Sequence, residues 1–589
     1  MKSYRFFLFC VGIILFLPTN STAQNKASLS KEIDKKWWKE AIIYQLYPRS
    51  FQDSNGDGVG DLKGITQRLD YLQSLGIDAI WLNPICASPN DDNGYDISDY
   101  KAIMKEMGTM ADFDEMLAGM KKRNIKLIMD LVVNHSSDEH QWFIEAKKSR
   151  DNKYRNYYHW WPAEKGTPPK RFSIFDENSD AWRYEPNTNS YYLHYFSRKQ
   201  PDLNWENPQL RQEMYDIMKF WLDKGVSGFR LDAFPFIAKD TNWPVMPADF
   251  TNEQFVRYYG ADAKLHNYLR EMNEVILSKY KDVYTVGEGG VIPFQKVMDF
   301  VDEDRKEINT LYHDEIANIW GRDAYDVGAY QVGRNNVLGM KEIVNKWDKK
   351  MESKGWNTVY FTNHDQSRAV SRYGNDSPEF REKSAKMLYT FLLTQRATPY
   401  IYNGDEIGMT NIRFKTAAEY NDLQTRNVYN QLIKISDAKA AEYLLNQQEL
   451  SRDNSRTPMQ WNATKNAGFT SGNPWLTINK NYTTVNVEAN TKDKNSILNY
   501  AKKLAKIRKE NPIFVYGKLE IIDPTNPDVF AYTRELNGKK IIVLLNFTSK
   551  TTTISAPLLA QKTTQWIGNY PTPFQKELRP YESVILKVN

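Results

Sequence analysis

Cysteine, histidine and long apolar runs are all scarce in this sequence. It has 2 cysteines in 589 residues, and one of them, Cys10, lies in an N-terminal apolar stretch. Without that stretch Cys86 stands alone, so no internal disulfide can form and an oxidising compartment adds nothing to stability. The 7 histidines include no HExxH-like pairing, which argues against a catalytic zinc. Charge of one sign is also scarce. The net charge is +5 with no basic run, so nucleic acid is not indicated as a partner. No apolar run reaches the roughly 20 residues that span a bilayer as a helix.

The N-terminus carries Lys2 and Arg5, then apolar residues 6–17, then Ser21, Thr22 and Ala23. These are the charged, apolar and small-residue regions of a secretory signal. Cleavage is expected after Ala23, giving a soluble protein exported to the periplasm or beyond, with no stable membrane anchor. Cys10 lacks the preceding small residues of a lipoprotein site. With 41% hydrophobic and 26% charged residues the chain can bury a large core, and its length implies two or three domains. The 36 tyrosines and 16 tryptophans, Trp160 and Trp161 among them, are explained first by packing.

Beyond residue 36, strand-like and helix-like segments alternate. Strands are expected at 41–47, 78–83, 126–133, 228–233, 283–287, 358–362 and 399–402, with a weaker candidate at 308–313. Helical periodicity marks 65–75, 111–122, 210–224, 263–278, 341–351 and 384–394. About eight such units imply an α/β fold, a parallel (β/α)8 TIM barrel. Residues 136–204 fit no barrel repeat and are read as a domain inserted after the third strand. The barrel then occupies 24–135 and 205–511, and short alternating strands from 512 to 589 imply a C-terminal all-β sandwich.

Several strands end in reactive residues: Asp130 to His135 on the third, Gly228 to Ala233 on the fourth, Val286 to Glu288 on the fifth and Thr362 to Asp365 on the seventh. The C-terminal strand ends form the active face of such a barrel. Four strands therefore deliver His135, Arg230, Asp232, Glu288, His364 and Asp365 to one rim. Arg230 and Asp232 share a strand face, and the guanidinium is expected to keep Asp232 ionised, as a nucleophile requires. Glu288, facing Asp232 and Asp365, is placed to hold a proton. Two carboxyls roughly 5 Å apart are what double displacement with retention needs.

The segments DLVVNH, GFRLDA, VGE and FTNHD resemble the four signature segments of the α-amylase superfamily, glycoside hydrolase family 13. QPDLNW at Gln200–Trp205, DSNGDGVGDLKGI at Asp53–Ile65 and SRDNSRTPMQW at Ser451–Trp461 are similar to its oligo-1,6-glucosidase and α-glucosidase branch. The resemblance runs from about Trp37 to the C-terminus. It implies that Asp232 is the nucleophile, Glu288 the acid/base, and Asp365 the carboxylate that holds ring hydroxyls. His135 and His364 would hydrogen-bond the first sugar. Tyr95 and Asp96 would stack on and grip the non-reducing glucose, with Arg456 closing the pocket beside Asp96. A closed pocket implies removal of one terminal glucose from a short oligosaccharide or disaccharide. Separately, a monomer and no organic cofactor are expected.

Oxygen-bearing residues alternate with glycines from Asp53 to Asp61, which suits Ca²⁺. Gly64 stands where an EF-hand has its glutamate, so an EF-hand is excluded; a solvated acidic turn is the alternative. The resemblance implies a structural Ca²⁺ on Asp53, Asn55, Asp57, Asp61 and the Val59 carbonyl, far from the chemistry. It also bears on linkage. Valine after the nucleophile accompanies α-1,6 preference in this branch, and Ala233 here leans toward α-1,4 bonds. Two rivals share much of the pattern. One is a sucrose isomerase or trehalose synthase, which retains the released sugar; the segment from Asn411 to Thr416 with Asn421 and Asp422 looks like the hydrolase version. The other is a catalytically dead transporter subunit, against which stand the complete carboxylate set and the short apolar run.

Overall fold

All seven expected strands, and the weaker eighth candidate, pair into one parallel sheet. A computed structural model describes residues 35–175, 180–247, 249–250, 254–260, 263–319, 336–555 and 561–589; the segment read as an export signal lies outside the described residues. The barrel strands are β1 (Ile43–Leu46), β2 (Ala79–Leu82), β3 (Lys126–Val132), β4 (Gly228–Asp232), β5 (Tyr284–Glu288), β6 (Thr310–Tyr312), β7 (Thr358–Val359) and β8 (Thr398–Tyr402). Their order is β6-β5-β4-β3-β2-β1-β8-β7. The strands are buried on both faces, as parallel strands under a shell of helices must be. No backbone ladder joins β6 to β7. Instead the Thr358 hydroxyl donates to the Leu311 carbonyl at 2.8 Å, and the Tyr312 and Tyr360 rings stack at 3.9 Å.

The barrel interior is filled by Ile43, Ala79, Trp81, Ile128, Tyr284, Val286, Tyr312, Tyr360 and Tyr400, all buried. Buried phenols need partners, and here they find each other: Tyr284 and Tyr400 at 2.8 Å, and Tyr284 and Thr310 at 2.6 Å. The surrounding helices begin where local chemistry says they should. Thr109 and Asp112 form a capping box on Met110–Lys122. Pro208–Lys224 starts behind the Asn207 cap and stops at Gly225, whose φ of 106° suits glycine.

Between β3 and that helix the chain leaves the barrel. Trp160–Pro162, Ser190–Leu193 and Trp182–Glu185 make a three-stranded antiparallel sheet. Trp160 is used in packing, stacked on Phe143 at 5.7 Å with the Arg155 guanidinium 3.4 Å from its ring centre. The QPDLNW segment fastens this excursion to the barrel. His135 and Asp202 form a backbone bridge, and the Trp205 indole donates to the Val133 carbonyl at 2.8 Å.

The C-terminal part is a five-stranded antiparallel sheet, Lys518–Ile522, Val529–Leu536, Lys539–Asn546, Ser583–Val588 and Thr563–Gly568, with a small two-stranded sheet beside it. Leu578 of the small sheet is buried with Val529, Ala531, Ile542, Leu544, Val584 and Leu586, so the two sheets enclose an apolar layer. A pair of helices after β8, Leu423–Ile435 and Asp437–Leu450, is absent from the sequence reading. Ile433, Ile435 and Leu445 are exposed on it. Among the described residues no helix is long and apolar enough to cross a membrane.

Candidate active site

Strand register assembles the site. Asp130 of β3 pairs with Arg230 of β4 and Val132 with Asp232. Val286 of β5 also pairs with Arg230, which sets Glu288 level with Asp232. Because side chains alternate along a strand, Asp130, Arg230, Asp232 and Glu288 all face inward. The guanidinium of Arg230, 1% exposed, is the hub. Its Nη1 donates to Asp130 Oδ1 at 3.0 Å and to Asp232 Oδ1, and its Nη2 lies 2.9 Å from Glu288 Oε2.

This sharing corrects one expectation. Arg230 is not reserved for Asp232, because three carboxylates divide one cation. Burial pushes the Asp232 carboxyl well above the usual range, and Glu288 and Asp130 add to that against the pull of Arg230. Ala233 has a left-handed φ of 46°, sparse for a residue with a side chain. That turn aims its N–H at Glu288 Oε2, 3.0 Å away.

Asp365 presents the opposite electrostatics. Burial opposes its charge, but His364, Arg452 and Arg456 outweigh it and hold the carboxyl well below the usual range. Its oxygens lie 3.0 Å from His364 Nε2, 3.2 Å from Arg452 Nη1 and 2.9 Å from Arg456 Nη2. The Gln45 amide reaches His364 Nδ1 at 2.8 Å, which orients the ring with Nε2 toward Asp365. Tyr95 ties the two halves together. Its hydroxyl donates to Asp130 Oδ2 at 2.9 Å, lies 2.7 Å from His364 Nε2, and its ring stacks on His364.

His135 joins from β3. Burial, with Lys239 nearby, pushes its pKa down to about 3, so it stays neutral at working pH. Gln200 lies 3.1 Å from its Nε2 and 3.3 Å from Asp92 Oδ2. Eight of the nine expected site residues thus converge: Asp232, Glu288, Asp365, Tyr95, His135, Arg230, His364 and Arg456.

Asp96 does not join them. Its carboxylate is fully buried and engaged by the Ser88 hydroxyl and the Asp91 and Asp92 N–H groups at 2.9, 2.9 and 3.1 Å, so it shapes its own loop. The loop carboxylate on the pocket side is Asp92, 3.7 Å from Arg452. Burial raises it to about 7 against Arg452 and Arg456. Arg452 is the second omission. Arg452 lies inside a segment already noticed, Ser451–Trp461, and Asp92 lies three residues before Tyr95, but sequence spacing does not tell which aspartate or arginine faces inward. Arg456 keeps a buried Nη1 without a partner.

The Asp53–Asp61 loop is wound around Asp53. The Asp53 oxygens accept the N–H groups of Asn55, Gly56 and Gly58 and the Thr470 hydroxyl. Asn55 and Asp57 each spend one side-chain oxygen on a local N–H, and Asp61 takes Ser54 and Gly64. Among the described residues no three acidic, His or Cys side chains converge as a ready-made metal cluster. The donor chemistry still fits a hard cation, since the second Asp57 oxygen and the Val59 carbonyl remain for one. A relay of hydrogen bonds ties the loop to the segment that carries Arg456. Trp475 N–H donates to the Gly58 carbonyl at 3.0 Å, its indole reaches Ser50 Oγ at 3.1 Å, and Ser50 donates to the Arg456 carbonyl at 2.5 Å. A cavity of about 360 Å³ lies elsewhere, lined by Trp38, Asp282 and Asn309 near the starts of β5 and β6, the end of a barrel where such features serve stability.

Carboxylates, histidines and arginines gathered on the strand ends of a nearly closed parallel barrel define a glycoside hydrolase. The chain belongs to the α-amylase family, glycoside hydrolase family 13: residues 45–517 match "Alpha amylase, catalytic domain" and 519–585 match "Maltogenic Amylase, C-terminal domain". An oligo-1,6-glucosidase of Parageobacillus thermoglucosidasius is 46% identical over 568 residues, covering 94% of this chain and 100% of the relative. One of Bacillus cereus is 46% identical over 565 residues, with the same coverage. Among solved structures, isomaltulose synthase from Protaminobacter rubrum superposes with a TM-score of 0.89 at 42% identity, covering 94% of this chain and 100% of that one.

Proposed function

We propose that this protein is an exo-acting, retaining α-glucosidase that removes terminal glucose from short α-1,6-linked oligosaccharides. The observation that carries the reaction class is Arg230 joined to both Asp232 and Glu288, with Asp365 held ionised across the pocket. In the first step an Asp232 oxygen bonds to the anomeric carbon while Glu288 gives its proton to the departing glycosidic oxygen. In the second, Glu288 takes a proton from water, the water oxygen bonds to that carbon, and the Asp232 ester breaks. Arg230, in contact with both Asp232 and Glu288, stabilises the Asp232 anion as it attacks.

Asp365, kept anionic by His364 and two arginines, would accept ring hydroxyls of the distorted sugar. Neutral His135 would hydrogen-bond a sugar hydroxyl, and Asp92 with the unspent Nη1 of Arg456 would hold the far end of the glucose. That closed end makes the enzyme exo-acting and bulk starch a poor substrate.

The α-1,6 assignment rests on the oligo-1,6-glucosidases that resemble the chain along 94% of its length. Ala233 favours a second reading, α-1,4 cleavage of maltose-type substrates. A panel of isomaltose, maltose, maltotriose, sucrose and trehalose separates them. Isomaltose should give the highest kcat/KM, with α-glucose as the first anomer by NMR. Release of β-glucose first would overturn retention; conversion of sucrose to an isomer would move the protein to the synthases; faster maltose cleavage would favour the Ala233 reading. Ca²⁺ on Asp53, Asn55, Asp57, Asp61 and the Val59 carbonyl would brace the first strand–helix loop, and residues 1–23 would direct export.

A further inference from the structure

The carboxylate Asp365 depends on Arg452, and Arg452 in turn has an anchor outside the barrel. Its Nε and Nη2 both lie on Asp422 Oδ1, at 2.8 and 2.5 Å. The Nη1 reaches Asp365 Oδ1 at 3.2 Å, and Nη2 lies 3.7 Å from Asp92. The guanidinium also lies over the Phe175 ring at 5.3 Å, so the inserted segment covers it. Asp422 is 2% exposed, and its other oxygen caps the helix Leu423–Ile435 through Thr425 N–H and Oγ at 3.1 and 2.5 Å. The Asp422 backbone is itself held. Asp453 Oδ2 accepts the N–H groups of Asn421 and Asp422 at 2.7 and 2.8 Å.

We infer that Asp422 is a positioning residue for glucose binding and turnover, acting through Arg452 on Asp365 and Asp92, so that the helix pair Leu423–Leu450 forms part of the sugar pocket. The inference rests on the α-glucosidase reading of the site. An arginine between three carboxylates has more than one way to lie. Two bonds to Asp422 select the orientation in which a single Nη remains for Asp365. Coulomb attraction alone would let Arg452 collapse onto Asp365 and cover the oxygens that face the sugar. Asp422 opposes that collapse, since a charge-assisted pair to a fixed carboxylate is roughly twice as strong as a neutral hydrogen bond. Capping the helix is an ordinary part for an aspartate; anchoring Arg452 is the second part the structure gives it.

The test separates the two parts. Asp422→Asn keeps a capping oxygen but removes the charge that anchors Arg452. Turnover of p-nitrophenyl α-glucoside and calorimetric binding of glucose are measured in the wild type, D422N, R452M and D422N/R452M, with thermal unfolding alongside. D422N should keep its melting temperature yet lose on the order of 10²-fold in kcat/KM, as a misplaced catalytic geometry does, and bind glucose more weakly. Adding D422N to R452M should cost nothing more, because the relay is already cut. Normal kinetics in D422N, or losses that add in the double variant, would overturn the link. A wild type that neither turns over the substrate nor binds glucose would overturn the reading of the site and this inference with it.

Discussion

Replacing Arg230 with methionine tests the charge distribution of the site most directly. The substitution keeps the volume of the side chain and removes the one cation that touches Asp130, Asp232 and Glu288. Leaving buried carboxylates without their partner costs about 3–5 kcal/mol of stability. The pH dependence carries the sharper content. In the wild type the Asp232 carboxyl is already raised, with burial as the first cause and Arg230 as the main restraint. Without Arg230 it rises further. A carboxyl whose folded pKa exceeds its unfolded value binds its proton more tightly in the fold, so stability falls as pH climbs from the unfolded value through the folded one. The R230M penalty should therefore grow with pH, because Asp232 without its cation is costlier to hold as an anion than in the wild type. Urea denaturation of both proteins at pH 5 and pH 8 reads it out. An equal penalty at pH 5 and pH 8 would refute the shared-cation picture, and so would an R230M protein as stable as the wild type at pH 8.

Three further outcomes are expected. Asp92→Asn should raise KM by about tenfold, the size of one lost charged hydrogen bond, with kcat little changed. The wild-type fall in kcat/KM as pH drops through about 7, where Asp92 takes up its proton, should be weakened in that variant; an unchanged KM would return the gripping role to Asp96. Removing divalent cations with a chelator should lower the melting temperature and loosen glucose binding together, because the Asp53 loop reaches Arg456 through Trp475 and Ser50; an unchanged melting curve would leave the loop as a metal-free turn. Ala233→Val places a β-branched residue at a φ of 46° and should cost about 1–3 kcal/mol whatever it does to linkage, checked by thermal unfolding before any substrate ratio is interpreted.

What was legible in the sequence followed from short-range rules, and what was missed followed from long-range ones. Apolar runs four to seven residues long, set between amphipathic helices, allow little but a parallel barrel, and polar residues at the strand ends can only reach its rim. That logic located Asp232, Glu288, Asp365 and their arginine. It could not count how many carboxylates would draw on Arg230, because Asp130 enters by register between β3 and β4, a relation between strands 100 residues apart. Asp96 entered only through the family resemblance, which left Asp92 aside. Both sit in one acidic loop beside Tyr95, and the choice is made by which carboxylate the loop's own N–H groups consume. Asp96 takes two of them and the Ser88 hydroxyl, which turns it inward and leaves Asp92 to face Arg452. The linkage question has the same character. Ala233 is packed among Phe236, Tyr195 and Trp182, at the seam where the inserted sheet meets the end of β4. Its methyl therefore reports on how that seam closes as much as on what the departing sugar meets. Bond preference in this enzyme should then respond to changes in Phe236 or Tyr195 as well as to Ala233 itself, and a substitution at Ala233 alone tests only one side of that seam.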